Sequence, residues 1–308
     1  MKTMKTIKTI IVGIMILFSF VWARQTYAAC DTKDYVMFPE GTLGALLYYD
    51  HSYGDEFYVD GLKVSDAFNV RSNIGVYRLT YYFDIGGPEN GAFASICQPF
   101  GDVMIDGAGV GNNNISASGL GDTVISAAYA RQIDPTFYMG GVFYVSMPTG
   151  EYDRDDFLNI GTNRWMIRPT IAFAKRFGKM SPFSVECYAN MDFFTDNDDY
   201  TGAGLTQKKA PIFAVDTHFV MDLDPASFTF VSLDYLYEKG GETEVEGVKQ
   251  GDEIENHWAQ LTFSTMLSQK FQIMLKYKAP LEIEYGNRTH TFGLRICYIL
   301  SSPSKPNP

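Results

Sequence analysis

Apolar and polar residues alternate with a period of two over most of the chain. Between residues 76 and 83, aromatic and aliphatic side chains occupy the odd positions, and the even positions include Arg78 and Thr80. Alternation of this kind places the two sets on opposite faces of a β-strand. The same pattern recurs in the segments 163–173, 184–192, 213–221, 271–278 and 289–298. It predicts long strands that each have one apolar and one polar face.

The lengths of these strands and of their connections predict how they are arranged. The segments approach the roughly 9 to 11 residues that a tilted strand needs to cross a bilayer, about twice the length of an average soluble strand. Short turns are predicted at 86–91, 134–136, 178–182, 224–226 and 267–270. Longer polar loops are predicted at 50–66, 101–121, 148–162, 195–209, 239–255 and 282–288.

These turns and loops together predict an all-β fold, a transmembrane antiparallel up-and-down β-barrel of about 12 strands. An even number of strands, with short turns on one side and long loops on the other, is typical of bacterial outer-membrane barrels. A soluble β-sandwich or a secreted barrel would also alternate, but its strands would be shorter.

The N-terminus carries an export signal. Lysines at positions 2, 5 and 8 precede an apolar run from 10 to 23, and Thr26 and Ala28 are small residues suited to a cleavage site. We therefore expect a signal peptide at 1–28, a short periplasmic N-terminal segment at 29–41, the barrel at 42–300 and a polar C-terminal tail at 301–308. The predicted location is the outer membrane of a Gram-negative bacterium.

The cysteines leave two alternatives open. Cys30 follows a sequence like a lipoprotein cleavage box, so it could be lipidated, although Tyr27 stands where Leu is usual. Cys30 and Cys297 could instead form a disulfide if the first and last strands pair. Cys97 and Cys187 show no metal-ligand spacing and are expected to be structural thiols.

Charge and composition restrict the partners. The formal net charge is -11 at pH 7, which argues against nucleic-acid binding. The predicted partners are outer-membrane lipid and lipopolysaccharide, the barrel-assembly machinery and small hydrophobic or aromatic solutes. No metal site and no cofactor is predicted.

The polar faces of the strands supply the candidates for a lumen lining. Two interpretations stay open: a charged constriction that tunes passage, or a network of ion pairs that fills the lumen, with Arg168 and Glu186 as expected partners. Inward aromatic residues such as Tyr188 and Phe230 could form an apolar path. The predicted lumen-lining residues are Arg78, Arg164, Arg168, Glu186, Asp192, Asp216, His218, Asp234, Lys276 and Arg295.

A three-part motif lies between residues 119 and 165. Its parts read G-x-G-D, P-T-G-x-Y and N-x-G-x-N-x-W, and comprise Gly119, Gly121, Asp122, Pro148, Thr149, Gly150, Tyr152, Asn159, Gly161, Asn163 and Trp165. The combination resembles the family called Putative meta-pathway of phenol degradation, transporter-like outer-membrane barrels. The resemblance implies passive transport of small hydrophobic or aromatic compounds, with no catalytic or binding residue to carry over. Glycines and asparagines at these positions predict tight turns, some with positive φ.

Three functional hypotheses follow. The first is a channel for hydrophobic or aromatic solutes, and the second is a structural or surface-interaction barrel with an occluded lumen. The third is a barrel-embedded lipid hydrolase, for which His290 is the only histidine near hydroxyl groups; Thr289 and Thr291 point to the opposite face, so we expect no enzyme. The acidic run Asp192–Asp199 could hold a divalent cation, but a solvated loop is the expected outcome.

Overall fold

The structure is a computed structural model that describes residues 30–83, 85–87 and 89–302. The predicted signal peptide at 1–28 lies outside these residues, as does most of the predicted tail at 301–308. Among the described residues, no helix combines the length and the apolar character that a membrane span requires.

Twelve long strands build the main sheet. Their bounds are β1 Leu43–Gly54, β2 Asn69–Phe83, β3 Asn90–Asp106, β4 Val124–Asp134, β5 Phe137–Ser146, β6 Met166–Arg176, β7 Phe183–Phe194, β8 Ile212–Asp224, β9 Thr229–Gly240, β10 Ile254–Ser268, β11 Phe271–Ile283 and β12 His290–Ser301. The only helical segments in the described residues are two 3-10 turns, Ala108–Val110 and Pro225–Ser227.

The sheet closes on itself. Each strand pairs in antiparallel fashion with its neighbours in the chain, and β1 pairs with both β2 and β12. At this closure Tyr49 lies between Leu294 of β12 and Gly75 of β2. Because every strand then has two partners, the backbone hydrogen bonds are satisfied and no edge remains, as a membrane-spanning sheet requires. The predicted twelve-strand barrel is confirmed.

The two ends of the barrel differ in the way the sequence predicts. Short turns join the strands at one end, which we call the short-turn end, and the opposite end carries the long loops and is called the long-loop end. The long loops are more ordered than the sequence indicates, because they contain further short strands. These are Phe57–Val59, Leu62–Ser65, Ile115–Leu120, Asn197–Tyr200, Leu205–Lys209, Thr243–Val245, Val248–Lys249 and Gly286–Asn287.

Several strands also run further toward the long-loop end than predicted. The segment from Gly101 was assigned to a loop, yet β3 continues to Asp106 and keeps its register with β2. Gly101 has a φ of 155°, and its Cα lies close to the backbone of Asn73 on β2. A glycine permits this close approach, so β3 continues beyond the point where apolar and polar residues stop alternating. Backbone pairing therefore extends beyond the part of the strand that the side-chain pattern marks.

The faces of the strands are those predicted by the alternation. On β2, Tyr77 is 57% exposed, whereas Thr80 on the opposite face is 2% exposed. On β6, Ile171 is 67% exposed and Thr170 is 4% exposed. The apolar residues therefore cover the outside of the barrel, and the polar residues line its interior. A large apolar outer surface of this kind is stable only against lipid or another apolar surface.

Candidate functional site: the lumen and its N-terminal segment

The predicted lumen residues fall into two groups. Arg164 precedes β6 and is buried among the loops, where its guanidinium donates to Gln207. Because it is removed from water, burial lowers its pKa to about 10. The others occupy the inner faces of strands, namely Arg78, Arg168, Glu186, Asp192, Asp216, His218, Asp234, Lys276 and Arg295.

The expected pairing of Arg168 with Glu186 is wrong. The register of β6 and β7 places Arg168 beside Asp192 and places Glu186 opposite Ala174. Arg168 donates from Nε and Nη2 to the two carboxylate oxygens of Asp192, and both side chains are at most 4% exposed. This two-point contact is the arrangement that best offsets the cost of burying both charges.

A histidine and a carboxylate form the centre of a second buried network. His218 Nδ1 lies 2.9 Å from Asp234 Oδ1, and both side chains are almost fully buried. The other oxygen of Asp234 accepts hydrogen bonds from Gln260 at 2.9 Å and Thr262 at 2.8 Å. The network joins β8, β9 and β10 across the inner wall.

The most prominent feature of the lumen is the chain segment that precedes β1. Residues 30–34, which we call the lumen segment, contact the inner wall. The backbone N–H of Lys33 donates to Glu186 at 2.8 Å, and its ammonium group forms an ion pair with Asp222. Thr32 Oγ1 lies 2.9 Å from Ser232 Oγ and 3.2 Å from His218 Nδ1.

The lumen segment reaches opposite walls of the barrel. Cys30 Sγ lies 3.5 Å from the Tyr144 hydroxyl on β5. Asp31 binds Lys276 on β11 at 3.0 Å and Arg295 on β12 at 3.0 Å. In a ring of twelve strands, β5 and β11 are opposite each other. The segment therefore crosses the lumen.

The charges of the lumen segment match those of the wall. Burial alone would raise the pKa of Asp31, but Lys276 and Arg295 outweigh it and lower the pKa to about 2. Asp34 lies 3.2 Å from Arg295, yet burial and the neighbouring Asp31 raise its pKa above the ordinary value. Asp31 is therefore the carboxylate that holds the segment in place at neutral pH.

The sequence predicts a short periplasmic segment at 29–41 but does not predict these contacts. The signal that could have revealed them is the polar run Asp31-Thr32-Lys33-Asp34, whose charges are opposite to those of the inward Lys276, Arg295 and Glu186. Cys30 is 6% exposed inside the barrel, a position that does not suit a lipid-bearing residue. All four cysteines are free, so the disulfide between Cys30 and Cys297 is absent.

Below the lumen segment, a cavity opens at the short-turn end. Its volume is about 510 Å³, and it lies between the chain that leads into β1 and the inner wall. At its mouth lie the turn at Ser227 and Phe228 and the turn at Ser268 and Gln269. The aromatic rings in its lining belong to Phe38, Tyr82, Phe93, Phe228 and Phe230. Tyr188, also predicted to face inward, is 2% exposed and lies higher, against Cys30.

The three-part motif fastens the long-loop end. Asp122 is fully buried and accepts backbone hydrogen bonds from Gly150 at 2.9 Å and Thr162 at 3.0 Å. A Cβ on Gly161 would come within 2.6 Å of the Gly150 carbonyl carbon, so the two loops touch backbone to backbone. Asn163 has a φ of 51°, as its position in a tight return predicts.

The remaining motif residues also make structural contacts. The Tyr152 hydroxyl donates to the Asp199 carbonyl at 3.0 Å, and Asn159 accepts from the Asp153 backbone at 2.7 Å. Thr149 Oγ1 accepts from the Thr123 backbone at 3.0 Å. Gly119 lies against Glu151 and Gly121 lies against Pro99, and the Trp165 backbone donates to Thr195; Pro148 precedes Thr149 in the same loop.

The enzymatic and metal-binding alternatives gain no support from the geometry. His290 stacks on Tyr53 and Tyr277 on the outer surface, and its Nδ1 contacts the Tyr277 hydroxyl at 2.9 Å. Thr291 faces inward, so its hydroxyl lies on the face of the strand opposite to the His290 ring. In the acidic run, Asp199 pairs with Arg154 at 2.8 Å. The described residues contain no group of three or more acidic, histidine or cysteine side chains placed to hold a metal.

Comparison with known proteins identifies the type of barrel. The profile of the family described as Putative MetA-pathway of phenol degradation matches residues 54–296. The crystal structure of the COG4313 outer membrane channel from Pseudomonas putida F1 is 26% identical, covers 88% of this chain and 100% of its own, and has a TM-score of 0.83. No curated protein sequence matches the chain.

Two autotransporter barrels share only the fold. The translocator domain of NalP from Neisseria meningitidis has a TM-score of 0.54 at 11% identity and covers 85% of this chain and 89% of its own. The transport unit of AIDA-I from Escherichia coli has a TM-score of 0.55 at 6% identity, with 93% and 97% covered. The likeness to the outer membrane channel from Pseudomonas putida F1 and the apolar exterior place the barrel in a bacterial outer membrane. In outer-membrane barrels the short turns lie on the periplasmic side.

Proposed function

Since the chain belongs to the Putative MetA-pathway of phenol degradation family, we propose that it is a passive channel for small hydrophobic or aromatic compounds. The observation that carries the proposal is the cavity of about 510 Å³ at the periplasmic end, because five aromatic rings line it. Ligand pockets of this size, mostly apolar with a few polar groups, suit single-ring molecules. The similar solved structure from Pseudomonas putida F1 is described as an outer membrane channel.

Passage through the barrel requires the lumen segment to move or a solute to pass beside it. Thr32 is 1% exposed between His218 and Ser232, so the segment is closely packed against the wall. Apart from the apolar contacts of Cys30 with Tyr144 and Tyr188, its contacts are hydrogen bonds and ion pairs, and hydrogen bonds exchange with water at modest net cost. A channel whose central obstruction is held by polar contacts can open without unfolding its wall.

The same segment supports a second candidate, a structural or surface-interaction barrel with an occluded lumen. The ion pairs of Asp31 with Lys276 and Arg295 are buried and would be costly to break singly. In that case the barrel would admit no solute, and its deletion would affect envelope integrity.

Uptake into liposomes separates the two candidates. Protein purified from outer membranes is reconstituted, and entry of radiolabelled toluene, phenol, glucose and hexane is compared with entry into empty liposomes. The channel predicts that the protein raises the rate of entry of the aromatic compounds above the rate for empty liposomes and leaves the rate for glucose unchanged. Equal entry of all four compounds with and without protein would refute the channel and leave the occluded barrel.

The proposal assigns no catalysis to the barrel and needs no cofactor. The partners that we propose besides the solute are outer-membrane lipid with lipopolysaccharide in the outer leaflet, and the barrel-assembly machinery. Exposed side chains such as Ile171 on the outer wall support the contact with lipid. Tyr298 in the last strand is 45% exposed and can serve as a C-terminal aromatic assembly signal.

A further inference from the structure

The lining of the periplasmic cavity presents more cationic than anionic side chains, in a protein that is otherwise acidic. The chain has a formal net charge of -11, yet the charged residues in the cavity lining are Lys33, Arg78 and Arg295 against the single carboxylate Asp34. Positive charge concentrated in a cleft with apolar walls attracts and orients anions. The excess of cationic side chains is therefore confined to this lining and is opposite in sign to the net charge of the whole protein.

Two of the three cations are neutralised by their neighbours. Lys33 pairs with Asp222, and Arg295 pairs with Asp31 and Asp34. Arg78 forms no ion pair with the described residues. Its guanidinium donates one long hydrogen bond to the Tyr48 hydroxyl at 3.4 Å, and it lies 5.2 Å from the centre of the Phe93 ring.

Unused hydrogen-bond donors are concentrated in the same place. Within the described part of the chain, Arg78 Nε, Arg295 Nε and the hydroxyls of Thr42 and Thr80 are buried without a hydrogen-bond partner. All four residues line the cavity. Because an unsatisfied buried donor is unfavourable, a group of them around one space indicates that the space holds hydrogen-bond acceptors, either ordered water or a ligand that can replace it.

We propose that this cavity is a binding site for small aromatic carboxylates, with the carboxylate on Arg78 and the ring in the apolar part of the cavity beside Phe93. A carboxylate matches a guanidinium by charge and by its two parallel acceptors. The surrounding rings provide apolar and edge-to-face contacts for a single aromatic ring. The proposal rests on the channel function, because it treats the cavity as the periplasmic end of the solute path and names one class of solute.

The competing explanation is that Arg78 is purely structural. A cation held over the Phe93 ring and against the Tyr48 hydroxyl is partly stabilised without any ligand. A structural arginine would give the cavity no preference for an anion over a neutral aromatic molecule of the same shape. Benzoate and benzyl alcohol differ in that respect and are the two probes.

The test measures binding of both probes by calorimetry to the detergent-solubilised protein. A charge-assisted bidentate contact predicts that benzoate binds about 10 to 100 times more tightly than benzyl alcohol. Arg78→Gln should weaken benzoate binding by about tenfold or more and leave benzyl alcohol within about twofold, whereas Arg78→Lys should retain part of the preference. Arg131→Gln, an exposed arginine on the outer wall, removes the same charge and should change neither probe.

Two results would overturn the proposal. The first is equal affinity of the unaltered protein for benzoate and benzyl alcohol, a comparison that depends on no variant. The second is unchanged benzoate binding in a folded Arg78→Gln protein. If Arg78→Gln does not fold, the variant Gln269→Trp is used in its place, because Gln269 is exposed at the mouth of the cavity and a tryptophan there would narrow the entrance. Undiminished benzoate binding by that variant would also contradict the assignment.

The outcome is distinguishable from that of the channel proposal. Faster entry of toluene into liposomes with protein than into empty liposomes, together with no binding preference for benzoate, would leave the channel intact and refute the carboxylate site. Liposomes that admit nothing, together with Arg78-dependent benzoate binding, would refute passive transport and retain a periplasmic binding site.

Discussion

Replacing Asp31 by Asn tests whether the lumen segment is held by charge. Asp31 is the carboxylate that contacts both Lys276 and Arg295, each at 3.0 Å, and its side chain is 8% exposed. Asn keeps the shape and one acceptor oxygen but removes the negative charge. The two cations would then face each other across a neutral group, and the segment would lose its ion pair with Lys276 on β11 and keep on β12 only the ion pair between Asp34 and Arg295.

The size of the effect follows from the pKa of Asp31. We call the lumen segment seated when it is bound to the inner wall, and released when it is not. A decrease of the pKa from 3.8 to about 2 means that the seated state favours the charged form of Asp31 by roughly 2 to 3 kcal/mol. Loss of that preference shifts the ratio of seated to released segment by about 30- to 150-fold. Lowering the pH acts in the same direction. The contribution is present above about pH 4 and is lost as the pH falls toward 2, where Asp31 becomes protonated.

Single-channel recording in planar bilayers measures the release. We expect Asp31→Asn to show larger and more frequent openings than the unaltered protein at pH 7, and the unaltered protein to approach that behaviour near pH 2. Asp66→Asn is the matched control, because Asp66 is 77% exposed in a loop and its change removes the same charge. Identical conductance of Asp31→Asn and the unaltered protein at pH 7 would refute a charge-held segment.

Three further outcomes are expected. Gly161→Ala forces a Cβ against the Gly150 backbone and should lower stability by about 1 to 3 kcal/mol; an unchanged melting temperature would contradict the close contact. Arg168→Met leaves Asp192 buried without its partner and should cost about 3 to 5 kcal/mol, whereas adding Asp192→Leu should restore most of the loss, as thermal unfolding followed by circular dichroism would reveal. The Cys30 thiol should react slowly with maleimide in the native protein and rapidly in Asp31→Asn, and equally fast labelling of both would contradict its position in the lumen.

The barrel could be predicted because its pattern is set within each strand. The alternation around Arg78 and Thr80 depends only on which side of the strand faces lipid. The residues of this one segment therefore predict both that it forms a strand and which of its side chains face outward. The partner of Arg168 could not be predicted in the same way. Its pairing with Asp192 depends on the register of β6 against β7. The length of the intervening turn determines this register, and a shift of the register by one residue would change every cross-strand neighbour.

The lumen segment was missed for a different reason. Asp31 and Thr32 belong to a short polar run without periodicity, which by itself indicates a loop. Its position follows from contacts with residues more than 180 positions later in the chain, including His218 and Arg295. Interactions of that range leave no local pattern, so only complementary charge could have pointed to them.

The contact between Asp31 and Arg295 also bears on the order in which the barrel assembles. Asp31 lies just before the first strand, and its two cationic partners lie on the last two strands of the chain. These ion pairs cannot form until β12 has docked against β1, so the two ends of the chain are joined both in the wall and inside it. Closure of the wall and formation of these ion pairs are therefore coupled, and a chain that stops short of β11 would have neither a closing strand nor the two cationic partners of Asp31.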